Sequence, residues 1–348
     1  MSSSQDILAL HQALSLTGTV IGRHKLATIN QLSERDAMAL PSRYVDSALD
    51  DLSEQMTQFE QYDTAQLLTI AEGIECSFKE RFVAGQLLGL RGDPRIKTLT
   101  PEMLVVPAAT VTLGLAPEEV ARVVEQYSHY GVLAEWIEKE TPTFATEIKS
   151  FKLGKYCVTN QEYREFMEDT GYQNFPTTWE YGVYKAELNN HPVNTISAKD
   201  ADNYCRWLSE KTGRQFRLPR EAEWEYAATG GKGLEFPWGN NFVADHANTV
   251  ESGILRSTPV GIFAKGAGLF AHMDLAGNVE EYVADNYAAY PGARLVVDDL
   301  LEKEGGYRIA RGGSFTRFRD LARTRRRHGR YSSNLYVMGF RLAESIDE

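Results

Sequence analysis

The 348 residues carry a formal net charge of −11 at a pI of about 5.3, with 43% hydrophobic and 24% charged residues. This is ordinary globular material, enough for one large domain plus a smaller one, and its acidity argues against nucleic acid or an anionic membrane as partner. No run approaches the ~20 consecutive apolar residues of a membrane span. Cys76, Cys157 and Cys205 have neither metal-ligand spacing nor a disulfide framework, so reduced thiols are expected.

The chain opens on MSSSQDILALHQALSLTGTV, which lacks a basic start and carries Asp6 and His11 within its apolar pattern. It reads as an amphipathic helix rather than a leader, which makes the cytoplasm the expected location. A second helix is expected over Tyr44–Phe59, with Val45, Leu49, Leu52, Met56 and Phe59 on one face. A third spans Glu75–Leu90 and stops at Arg91-Gly92-Asp93-Pro94. Its run ERFVAGQLLGLRGDPR resembles one helix of a HEAT-type repeat, but a single unit cannot bury a core, and a short helical cap is the simpler reading. Residues 1–95 are thus expected to form a helical N-terminal domain, with its helices available to a protein partner.

The pattern changes near Pro101. MLVVPAATVTLGL is rich in β-branched residues and reads as strand. A helical insertion follows around Pro117–Tyr127, and then IKSFKLGKYCVTN alternates as strands. Thr159 with Glu162 three residues on is a capping box, and Ser197 and Gly213 bracket a helix with Ala201, Tyr204, Cys205 and Leu208 on one face. Cys157 and Cys205 are expected to be buried as small apolar side chains. The remainder is short strands among Gly, Pro and Asn turns, so residues 96–348 are expected to be an α+β domain with much irregular structure.

A series of phrases in this second part resembles the formylglycine-generating-enzyme, or sulfatase-modifying-factor, family. In order they are MLVVPAATVTLG, YCVTNQEYREFM, HPVNTIS, RLPREAEWEYAATGG, FPWGN, TPVG, DLAGNVEEY, RGGSF and GFRLA. The resemblance implies a duplicated C-type-lectin-like core. Much of the signature is scaffold: Trp224, Trp238, Pro219 and Pro237 read as core and turn residues. Gly312, Gly313 and Gly339 read as positions of positive φ or close backbone approach, and Ser314 reads as structural. A scaffold signature identifies a fold and leaves the activity open.

The resemblance implies a structural calcium site on Asp274, Gly277, Val279 and Glu281, carboxylates and carbonyls suited to a hard cation. One departure stands inside it, Glu280 in place of the family's tryptophan. A second family calcium site near Asn248 and Thr249 is not expected, because the loop that follows is acid-poor. Copper is not expected. The copper enzymes of the family hold the ion between two cysteines just after the RGGS phrase, and here Arg317 and its neighbours fill that stretch without a thiol. Iron is not implied either. The sulfoxide synthases that share the fold bind it through a His-x3-His-x-Glu motif in an N-terminal domain, where this chain has only His11 and His24 at other spacing. An iron site would have to be rebuilt from His191, His246, His272 or His328, each of which reads more simply as a hydrogen-bonded loop residue.

The most unusual local feature is basic. Arg311, Arg317, Arg319, Arg323, Arg325, Arg326, Arg327 and Arg330 fall within twenty residues, against one acid, Asp320. Guanidinium groups in that number suit a carboxylate or phosphate. Ser314, Arg317, Arg319, Arg323, Arg325, Arg327 and Tyr331 are therefore the expected binding residues for an anionic small molecule or peptide. Internal pairing with the 48 acidic residues is the competing account. No phosphate-binding glycine loop is present. Two functions remain open: a non-copper oxygenase-type oxidoreductase of specialised metabolism, and a non-catalytic lectin-like binding module displaying residues 311–341.

Overall fold

A computed structural model describes residues 4–25, 27, 29–46 and 52–346. Helix α1 (Ser4–Leu14) turns Ile7, His11 and Leu14 inward at spacings of four and three, as an amphipathic helix should. The short α2 (Glu34–Ala37) is capped by Ser33. Of the helix expected over Tyr44–Phe59, only α3 (Leu52–Phe59) is seen; Tyr44–Asp46 are not helical, and Leu49 lies outside the described residues. α4 (Thr64–Ala71) and α5 (Phe78–Arg91) follow, and the three pack through Phe59, Leu67, Val83, Leu87 and Leu88.

This helical part is fastened to the rest of the chain. α5 starts at a Ser77/Glu80 capping box and ends at Gly92, where φ is +98°. Its other face sets Phe78 and Phe82 against Ile254, Ile262 and Phe263, and the buried Arg81 donates to the Ile262 carbonyl at 2.6 Å. Ile21, Ile29, Ala37 and Ala39 enter the main core beside Tyr130 and Phe318. The segment after α1 therefore lies on the second half of the chain.

The strands are short. β1 (Met103–Val106) and β2 (Ala109–Leu113) precede an insertion holding α6 (Val120–Tyr127), a 3-10 turn at Ser128–Tyr130 and α7 (Ala134–Glu138). β3 (Phe144–Ile148) and β4 (Phe151–Gly154) return, with β3 antiparallel to β2. α8 (Asn160–Thr170) and α9 (Ala198–Thr212) carry the expected caps at Thr159 and Ser197, and Gly171 and Gly213 end them in the left-handed region. β5 (Phe216–Arg217), α10 (Glu221–Thr229), β6 (Glu280–Asn286), α11 (Asp299–Glu304), β7 (Arg308–Arg311), β8 (Met338–Phe340) and β9 (Ala343–Ser345) complete the α+β architecture. One sheet runs β1-β4-β9-β5, all antiparallel, and another β7-β6-β8, in which β6 and β8 are parallel.

The second sheet positions the site. Glu281 on β6 stands opposite Arg311 on β7 and Gly339 on β8, so the chain leaves the sheet at Arg311 directly into Gly312-Gly313-Ser314. Both glycines have positive φ, and a Cβ on Gly313 would lie 2.8 Å from the Ala322 amide nitrogen, which leaves no other residue room there. Gly339 answers to the other reason, a Cβ there lying 2.6 Å from the Val193 carbonyl. Among the described residues no helix is long and apolar enough to cross a membrane.

Candidate functional site

The arginines beyond β7 are mostly turned inward. Arg311 pairs with Glu221 at 2.7 Å and Glu225 at 2.5 Å; Arg323 grips Glu140 with two bonds of 2.9 Å and also meets Glu235; Arg327 grips Glu221 at 2.8 and 2.9 Å. All three are buried. A buried guanidinium already neutralised by carboxylates offers a ligand neither open access nor unbalanced charge, which corrects the expectation that Arg323 and Arg327 receive an anion. Ser314 is fully buried and bonded to Thr316, and the buried Tyr331 donates to Asp299 at 2.8 Å, so both are structural. Arg325 is half-buried, held by the Gly114 carbonyl and Glu235, and borders an open cleft of about 570 Å³. Within 311–341 the exposed residues are Arg330 and Ser332–Asn334.

The expected calcium residues do not fit that ion. Each oxygen of Glu281 already accepts two bonds: Arg341 Nε and Trp224 Nε1 on Oε2, Arg341 Nη2 and Cys157 Sγ on Oε1. Calcium would have to displace a buried guanidinium. Asp274 is buried and accepts from the Gly261 amide at 2.7 Å, and burial pushes its carboxyl up to about 6. Among the histidines considered for iron, His191 is bonded at both nitrogens, to Ser257 and Gln86, and His328 to Glu280. No group of three or more His, Cys, Asp or Glu side chains among the described residues is arranged to hold a metal as it stands. Cys157 and Cys205 are buried, as expected, and burial pushes both thiols up.

What remains is a buried polar region over residues 317–320. Arg317 is 4% exposed, lies over the Tyr336 ring at 5.3 Å, and leaves Nη1 without a partner. Phe318 stacks on Tyr130 with centroids 4.4 Å apart. Around that ring pair stand three histidines that the sequence reading did not connect: His11 from α1, His24 from the segment after it, and His129 from the insertion. Glu251, fully buried, accepts from Tyr130 Oη at 2.9 Å and from the Arg319 amide at 3.2 Å on one oxygen, while the other is unpaired. Burial, with Arg317 or Arg319 adding to it, lowers both His24 and His129 to about 4, which keeps them neutral. Asp320 is pushed the other way, up to about 6, by burial.

A second group lies beneath. Glu280 is fully buried and 2.8 Å from His328 Nδ1; burial pushes it up to about 7 and holds His328 well below its usual range. Lys139, lowered by burial to about 8, pairs with Asp298 beside a cavity of about 10 Å³, room for one water. Asn30, bonded to Asp299 and Tyr336, carries the N-terminal segment across this cavity.

The fold surrounding this region identifies its lineage. A family model described as the sulfatase-modifying factor enzyme 1-like domain matches residues 92–346. The chain belongs to that family. Mouse formylglycine-generating enzyme is 26% identical over 73% of this chain and 78% of its own length. The hercynine oxygenase of Mycolicibacterium smegmatis is 26% identical, but over 51% of this chain and 49% of its own. Among solved structures, PvdO from Pseudomonas aeruginosa superposes with a TM-score of 0.55 at 27% identity, over 72% of this chain and 97% of that one. Immediately beyond its RGGS phrase this chain carries Arg317 and Arg319 and no cysteine.

Proposed function

We propose that this chain is an oxygenase-type oxidoreductase of the formylglycine-generating-enzyme-like superfamily, acting without paired thiolates on a small molecule or peptide. The observation that carries the reading is the buried polar region over Arg317–Asp320. It lies just past the RGGS phrase, and several of its polar atoms are unpaired although the surrounding core is close-packed. Buried polar groups are nearly always paired, so a concentration of free ones marks a place that something else completes. The names of the relatives, formylglycine-generating enzyme and hercynine oxygenase, support oxidative chemistry as the class. Arg317 and Arg319 are the residues suited to an anionic group on the substrate, since neither is consumed by a bidentate carboxylate. The free state of all three cysteines is in keeping with a cytoplasmic location.

A display module would present residues 311–341 to solvent, and the burial of most of that stretch favours the enzyme. The test is oxygen uptake by the purified protein, supplied in turn with iron and copper salts, against small-molecule and peptide fractions of a cell extract. The expected result is uptake that depends on one fraction, with a product heavier by oxygen or lighter by hydrogen on mass spectrometry. Uptake that never rises above the protein-free rate with any fraction would overturn the proposal.

A further inference from the structure

Helix α6 carries two apolar stripes. Val123 and Tyr127, four residues apart, are buried in the main core. Val120 and Val124, also four apart, are only half-buried, and Ala121 between them is exposed. A helix that is apolar on a second side has a face still to cover. That side lines an open groove of about 760 Å³ whose other walls are α7 and the 292–296 segment, with Val120, Ala121, Val124, Ala134, Pro142 and Val296 among its apolar residues. The walls are fixed in place. Trp136 and Ile137 root α7 in the core, and the Val296 carbonyl accepts from Tyr287 Oη at 2.9 Å.

Charge says what fits. Glu125 and Glu138 line the groove, and Glu118 and Glu135 directly follow its lining residues Pro117 and Ala134. Two bases stand against them, each already matched: Arg122 pairs with Glu119 at 2.5 Å and Arg294 with Glu138 at 3.5 Å. Glu118, Glu125 and Glu135 have no ion pair among the described residues. An apolar floor with unmatched carboxylates around it calls for apolar side chains flanked by positive charge. A second copy of this chain, at −11, is the wrong complement.

We infer that this groove docks a basic amphipathic helix of a partner protein. Its apolar side chains, at spacings of three and four, lie on the Val120–Val124 stripe, and its lysines or arginines meet the carboxylates at the rim. This goes beyond the oxidoreductase reading and stands without it, since no residue lining the groove belongs to the buried polar region of Arg317–Asp320.

The probe is a fluorescein-labelled synthetic helix of leucine and lysine in that spacing, with a leucine–glutamate helix as its counterpart. Each is titrated against the full chain and read by fluorescence anisotropy. One lysine helix per chain is expected to bind, and the glutamate helix at least about tenfold more weakly. Val124→Asn, which leaves the charge unchanged, should weaken the lysine helix by about tenfold or more. Glu125→Gln together with Glu135→Gln should flatten the salt dependence of binding. Circular dichroism and the thermal midpoint check that each variant is folded; if Val124→Asn is not, Ala121→Asn at the exposed position gives the same readout. No binding of the lysine helix overturns the groove. So does equal binding by wild type and the asparagine variant, because charge alone would then hold the helix. A wild-type chain that self-associates in sedimentation, and loses this with Val124→Asn, overturns the choice of partner: the occupant is then a second copy.

Discussion

Arg323, Arg327 and Arg341 look alike in sequence to arginines that would greet a ligand, and differ only in what surrounds them. Removing one partner of a buried ion pair strands the other, at a cost of about 3–5 kcal/mol. Arg327→Ala leaves Glu221 facing only Arg311 and deletes the contact over Tyr290 at 3.9 Å, so a loss in that range is expected. Arg325→Ala at the cleft edge should cost less than Arg327→Ala, because its contact to Glu235 is a single one of 3.3 Å and Glu235 keeps Arg323 as a partner. Urea unfolding of both variants decides it, and equal midpoints would mean that the Arg327–Glu221 pairing is not formed. The acids that meet these arginines were visible in sequence, Glu221 and Glu225 a helical turn apart among them. Their pairing was not, because partners such as Glu140 and Arg323 lie 183 residues apart and share no local pattern.

Local pattern was legible at most caps and stops, although the periodicity read from Tyr44 is not helical over Tyr44–Asp46. The caps at Thr159 and Ser197, the stops at Gly92 and Gly213, and the strand runs after Pro101 all follow from rules that act within four residues. The segment between α1 and α2 obeys no such rule. It has no periodicity, yet Ile21 and Ile29 join the main core and His24 joins the site, because irregular backbone can bury side chains in any order. The two kinds of cap can be told apart by experiment. At Ser77 the capping box is exposed, and an alanine there should cost about 0.5–1 kcal/mol. At Thr159 the hydroxyl and amide both bond the buried Glu162 at 2.7 Å, and Glu162, pushed up to about 7 by burial, would lose one of the bonds that counter that burial. Thr159→Ala should therefore cost about 2 kcal/mol, at the upper end for caps. Denaturant midpoints that rank Ser77→Ala as the worse variant would refute this account of the box.

At the scale of the whole molecule, buried titratable groups pull stability in opposite directions across mildly acidic pH. Glu162 and Glu280 near 7, and Asp274 and Asp320 near 6, bind protons more readily folded than unfolded, so their contribution is largest at low pH and fades as pH rises through those values. His24 and His129 near 4, and His191 and His272 near 3, do the reverse: their contribution is present above the unfolded value of about 6.5 and is lost as pH falls through the folded one. The two sets oppose each other between roughly pH 4.5 and 6.5, which predicts a flat wild-type profile there. Removing one term should tilt it. Glu280→Gln keeps an acceptor for His328 but deletes a group that gains stability on acidification. Relative to wild type, its thermal midpoint should fall by about 2–4 °C more at pH 5.5 than at pH 7.5. Calorimetry of both proteins at the two pH values reads the difference directly. A gap that narrows on acidification would mean that Glu280 is ionised in the folded chain, with His328 its charged partner rather than a neutral one.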